Sequence, residues 1–131
     1  MKRTNMNRMG GNTLMIKVVY CLRRKADMSL EEFQKYWLKT HAKFGKNIEG
    51  VKRYVQVHTI TGELQEMLAA GHPAGKNEPF DGVAELWFEE SDLRELPGKP
   101  GGLAALQDEA NFIDFERSVI FLAKEHVIVQ K

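Results

Sequence analysis

Residues 29–44, SLEEFQKYWLKTHAKF, constrain this chain more than any other stretch. Ser29 followed three residues later by Glu32 is the reciprocal cap that opens a helix, each side chain meeting the other's backbone N–H. Leu30, Phe33, Trp37, His41 and Phe44 then recur at spacings of three and four, so they share one face. Lys35, Lys39 and Lys43 take the other side. An amphipathic helix with such a stripe must lie against an apolar surface. His41 is the odd member of the stripe. It is either a satisfied core group bonded to its own helix end or the polar centre of a pocket.

The surface it needs comes from strands. Residues 14–24 (LMIKVVYCLRR) are rich in β-branched and aromatic side chains and alternate, with Val18, Tyr20 and Leu22 on one side and Lys17, Val19 and Cys21 on the other. The helix is expected to end at Gly45 as a C-cap glycine. A second strand follows Gly50, carrying Tyr54, Gln56 and His58 on one face. Residues 63–70 predict a short helix closed by Gly71, and 72–79 a loop. A third strand spans 81–88, with Ala84, Leu86 and Phe88 opposed to Val83, Glu85 and Trp87. The Pro- and Gly-rich 97–102 predicts a helix break, with helix resuming over 103–112. The last strand is expected over 117–129.

This order predicts an α+β fold of the ferredoxin-like split β-α-β type, an antiparallel four-stranded sheet with two helices on one face. The domain is expected over 14–131, preceded by a flexible tail at 1–13. Both strand faces are apolar, yet helices are supplied for only one. A monomer would leave Val19, Val83, Trp87, Val119 and Phe121 as a large patch. A homodimer through sheet-to-sheet contact, forming a dimeric α/β barrel, is the expected remedy, with Glu85 paired to Arg53 in the interface.

At 131 residues the chain is one domain, and its net charge of +1 with well-mixed signs argues against nucleic-acid or membrane surfaces as partners. No run approaches the ~18 apolar residues of a membrane span. A single cysteine, Cys21, fits a reducing compartment, and the expected location is the cytoplasm. The four histidines show no metal-binding spacing, and no phosphate-binding glycine motif is present, so no metal and no cofactor is expected.

The combination of MIKVVYCLRR, SLEEFQKYWLKTHA, GVKRYVQVH, FDGVAELWFEES and the closing DEANFIDFERSVIFLAKEHVIV resembles the EthD-like family of the dimeric α/β-barrel superfamily. The resemblance implies the same fold and a loose link to oxidoreductases. Similar proteins act as cofactor-independent decarboxylases, dehydratases or cyclases on aromatic or polyketide-like molecules. The chain departs from the family's usual His-Ala-Pro by placing Lys43 after His41 and Ala42.

In such an architecture a small-molecule ligand lies between helices and sheet. His41 is the candidate general acid/base, because imidazole exchanges a proton near neutral pH. Tyr20 and Tyr54 are candidate donors to a developing enolate oxygen. Val18, Phe33, Trp37, Ala84, Leu86, Phe112 and Ile120 are the candidate substrate-binding wall. Asp108 and Glu109 read as solvated helix charges, unless the helices lie close enough for one to orient His41. His58, His72 and His126 receive no role. The alternative to an enzyme is a non-catalytic ligand-binding or accessory dimer in an oxidative pathway. A void shared by His41 and a tyrosine favours the enzyme; a cavity filled by side chains favours the accessory protein.

Overall fold

The computed structural model describes the backbone of residues 8–9 and 13–131, and side chains from Met15 onward. Most of the expected tail lies outside the described residues. Within it, Arg8–Met9 (β1) runs antiparallel to the start of Thr13–Leu22 (β2), Arg8 facing Leu14 and Met9 facing Thr13. The other strands are Arg53–His58 (β3), Gly82–Glu89 (β4) and Val119–Ala123 (β5). Their order is β3-β4-β2-β5, all antiparallel, which is the ferredoxin-like plan. The register sets Tyr20 between Ala84 and Ile120, and Tyr54 opposite Leu86.

The first helix begins as its sequence dictates. In Leu30–Tyr36 (α1) the Glu32 N–H donates to Ser29 Oγ at 3.0 Å, and the Ser29 N–H donates to Glu32 Oε1 at 2.8 Å. It does not run on uniformly. Residues Trp37–His41 widen into a π-helical turn before Ala42–Gly45 (α2) completes the segment. Such turns are rare and weaken regular bonding; here the Trp37 carbonyl also accepts a bond from the Gln56 side chain at 3.0 Å. Gly45 is not a left-handed cap, since among the described glycines only Gly50, Gly62 and Gly98 have positive φ. Its reason is space: a Cβ there would stand 2.6 Å from Cε2 of Tyr54.

Glu63–Ala70 (α3) forms as expected and stands apart, with Leu64, Met67 and Leu68 exposed. Glu90–Glu95 (α4) continues directly from β4. Pro100–Glu109 (α5) starts inside the stretch expected to break the helix. Proline is tolerated at a first helical position, and the Glu49 carboxylate accepts from the Gly101 and Gly102 N–H groups at 2.7 and 3.0 Å. Gly101 has to be glycine, because a Cβ would stand 2.2 Å from the Asn47 carbonyl. The last strand is shorter than expected. β5 pairs with β2 only as far as Lys17 opposite Ala123, and the same edge of β2 is taken further on by β1.

The core between helices and sheet is built from Leu22, Phe33, Trp37, Ala84, Leu86, Phe88, Phe112 and Ile113. The helical layer does not extend over β5, where Ile120 is 61% exposed. On the opposite sheet face, Trp87 is only 2% exposed within one protomer, against the expectation of an open position. The Lys17 ammonium and the Arg53 guanidinium each lie 4.8 Å from its ring centre, and its indole N–H donates to Glu125. Glu85 pairs with Lys17 at 3.4 Å rather than with Arg53, which is engaged on the indole. Val119 and Phe121 remain half exposed. Among the described residues no helix is long and apolar enough to cross a membrane.

Candidate functional site

Where the π turn, α2 and α5 meet the sheet, packing leaves a void of about 50 Å³, partly open to solvent. Its polar lining is His41, Tyr20, Tyr54 and Glu109; Leu22, Trp37, Ile48, Ala84, Leu86, Ala105 and Ile113 supply the apolar wall. One water needs roughly 10–15 Å³ on this scale, so the void takes a few waters or the reacting end of a ligand.

His41 is buried, and its Nδ1 lies 2.8 Å from Asp108 Oδ2. Asp108, also buried, accepts from the Tyr36 hydroxyl at 2.6 Å and from the Asn111 amide at 3.1 Å. Burial pushes its pKa upward, but the bonds from Tyr36, His41 and Asn111 and the charge of His41 outweigh it and hold the carboxyl below its ordinary value. A carboxylate that stays ionised fixes the proton of a neutral imidazole on Nδ1 and leaves the Nε2 lone pair free. The Phe112 ring, 4.8 Å from the imidazole, closes the other flank.

A second carboxyl sits one residue on. Glu109 Oε1 accepts from the Tyr20 hydroxyl at 3.0 Å. Burial, helped by the charge of Asp108 and opposed by the Tyr20 bond, raises its pKa to about 7. Burial and the same Glu109 push the Tyr20 hydroxyl pKa up, which keeps it a protonated donor. Tyr54 is likewise raised, chiefly by burial. Its oxygen accepts from Gln56 Nε2 at 2.7 Å; the Gln56 Oε1 in turn meets His58 Nε2 at 2.8 Å. The His58 ring stacks on Trp37 at 4.4 Å, and burial lowers its pKa.

The structure therefore brings His41, Tyr20, Tyr54, Trp37, Ala84 and Leu86 to one void. Val18, Phe33, Phe112 and Ile120 are not in its lining: Phe33 and Phe112 are fully enclosed in the core, Val18 packs against the core, and Ile120 lies beyond the helices. His72 caps the turn at Pro73–Lys76 by accepting the Ala74 N–H, and His126 follows the end of β5 instead of sitting on a strand. Asp108 and Glu109 are the residues that sequence reasoning undervalued. Their spacing from Ala105 and Phe112 put both on or beside the inward stripe of α5, which is a readable signal. Among the described residues no three His, Cys, Asp or Glu side chains are grouped to hold a metal ion.

The EthD domain family is matched over residues 25–116. No curated protein matches the sequence. Among solved structures, an EthD family protein from Bacillus halodurans C-125 superposes with a TM-score of 0.64 at 17% identity, covering 86% of this chain and 100% of that one. A dimeric ferredoxin-like protein of unknown function from Thermobifida fusca YX gives 0.60 at 17% identity, covering 89% and 95%. SnoaB, a cofactor-independent oxygenase from Streptomyces nogalater, gives 0.55 at 12% identity, covering 89% and 98%. At such identities the likeness concerns the fold.

Proposed function

The chain belongs to the EthD domain family, and from that premise we propose that it is a cofactor-independent enzyme moving protons on a small carbonyl or phenolic compound. The observation that carries this reading is His41, bordering a void with its Nδ1 held by Asp108. Nε2 takes a proton from an O–H, or from a carbon beside a carbonyl; Asp108 stabilises the imidazolium that forms. The enolate or phenolate oxygen receives a hydrogen bond from Tyr54. His41 returns the proton at the product stage, or Glu109, titrating near neutrality, supplies one while His41 releases its own to water and Glu109 is reprotonated from water through the open side of the void. Decarboxylation, dehydration and aldol-type cyclisation all pass through such an anion. Aromatic or polyketide-like substrates fit if only their reacting edge enters.

The test is deuterium exchange at the acidic carbon of short β-keto acids and diketones. Asp108→Asn and His41→Ala are expected to slow exchange by roughly 10²-fold or more, with equal loss in both. Exchange as fast in His41→Ala as in the native chain refutes the reading. The small void favours a second reading, an accessory ligand-binding protein, since ligand sites commonly measure ~300–1,000 Å³. That reading expects binding without exchange.

A homodimer is part of the proposal. Val119 and Phe121, each 48% exposed, remain on the helix-free sheet face, and relatives of this fold are described as dimeric. A second copy covering that face would bury both, with Val83 and the rim of Trp87 beside them.

A further inference from the structure

The hydrogen bonds behind Tyr54 have only one self-consistent polarity. The Trp37 carbonyl is an acceptor, so the Gln56 group 3.0 Å from it must be the NH2. Flipping the amide would set two acceptors against each other. With Nε2 so fixed, its remaining hydrogen goes to the Tyr54 oxygen at 2.7 Å, and Oε1 is left to accept from His58 Nε2 at 2.8 Å. Both Gln56 N–H donors are then used. The Tyr54 oxygen is used as an acceptor on its Gln56 side. Its own proton cannot lie on that line. Among the described residues the proton meets no acceptor, and Tyr54 borders the void.

We infer that Gln56 is a positioning residue that locks the Tyr54 hydroxyl as a hydrogen-bond donor into the cavity, so that the site is built for an acceptor oxygen of the enol or enolate class. For the identity of the ligand this rests on the catalytic reading above; for the direction of the hydroxyl it rests on the network alone. The arrangement is complementary: the Tyr54 side donates, whereas His41 Nε2 accepts. A group carrying an acceptor oxygen beside a transferable proton meets both, and a β-dicarbonyl or its enol is the simplest such group. The π turn has a part in the lock, because it presents the Trp37 carbonyl that sets the orientation of Gln56.

The test needs no turnover. Acetylacetone binding at pH 6, followed by NMR titration, is expected to weaken about tenfold in Tyr54→Phe, the effect of one lost hydrogen bond. Gln56→Glu presents an acceptor to Tyr54 and turns its proton away, so it is expected to cost about as much. In the Tyr54→Phe background it should cost nothing further. Gln56→Met, which removes the lock without reversing it, should weaken binding less, and again only while Tyr54 is present. Nitrogen-15 shifts should show His58 with its proton on Nε2. A neutral His58 carrying its proton on Nδ1 overturns the lock outright. Additive losses in the double variants overturn it too, since a merely structural Gln56 would act without Tyr54. Failure of the native chain to bind acetylacetone overturns the ligand class. Binding with the expected pattern but no deuterium exchange supports this inference and removes the catalytic reading.

Discussion

Glu109→Gln tests the electrostatics of the cavity most directly. Burial holds the Glu109 proton on up to a pH of about 7, against an ordinary value of 4.5. Between those values the folded chain keeps a proton that the unfolded chain has released, so stability falls as pH rises through the window and stays low above it. A gap of about 2.5 pH units at ~1.36 kcal/mol each gives roughly 3 kcal/mol, reduced to about 2–3 kcal/mol because the carboxyl keeps some contact with solvent. Glutamine retains the oxygen that accepts from Tyr20 and never ionises. Urea unfolding of both proteins at pH 5 and pH 8, followed by tryptophan fluorescence, reads the difference. The native chain should lose ~2–3 kcal/mol relative to Glu109→Gln on going from pH 5 to pH 8. His58, whose pKa is lowered by burial, contributes a slope of opposite sign below about 6.5, present in both proteins and cancelled by the comparison. Parallel profiles would show that Glu109 ionises as freely folded as unfolded, and the reasoning would fail.

Two substitutions on the helix-free face of the sheet should separate folding from association. Trp87→Ala should cost about 3–5 kcal/mol whatever the protein concentration, because the indole is already buried within one protomer. Phe121→Ala should instead raise the dimer dissociation constant in sedimentation while leaving the monomer folded; a native chain that sediments as a monomer at micromolar concentration refutes the dimer. Gly45→Ala should displace the Tyr54 ring, which stands where the new methyl would go. It is expected to lower acetylacetone affinity at least as much as Tyr54→Phe, and unchanged affinity would show that the ring is not held as described.

Strand faces and the capped start of α1 were legible because each depends on short-range periodicity. Ser29 and Glu32 need no tertiary information to form their cap, and Tyr20, Ala84 and Leu86 reach the helix side by simple alternation. What escaped depends on contacts between distant segments. Helical spacing aimed His41 at the sheet, but the π turn that follows Tyr36 is not written in that spacing. The start of α5 at Pro100 requires the carboxylate of Glu49, some fifty residues earlier in the chain. β5 leaves β2 after Ala123, and β1 pairs with β2 only further along, at Thr13 and Leu14. Trp87 was misplaced for a related reason: alternation gives its face correctly, but not the two cationic groups that cover it. Counting apolar residues on a face overstates its exposed apolar area when Lys and Arg lie alongside.

The departures from local rules converge on one place. In the π turn the Trp37 carbonyl accepts from the Ala42 N–H, one residue further on than in a regular α-helix, and also from the Gln56 side chain. A conventional helix stripe would carry an aliphatic side chain at residue 108 or 109, and α5 carries two carboxyls there. An ordinary helix end would not need the glycine at 45 that admits the Tyr54 ring. Each departure costs stability when taken alone: weaker helix bonding, a buried charge, a glycine in a helix. Each also sets one polar group of the same void. The π turn fixes the acceptor that orients Gln56, Asp108 fixes the imidazole, and Gly45 makes room for Tyr54. A fold selected only for packing would fill 50 Å³ with a methyl-bearing side chain at Gly45 or Ala105 and an apolar residue at 109. Independent local costs that meet at one cavity are the pattern expected of a site kept for its chemistry.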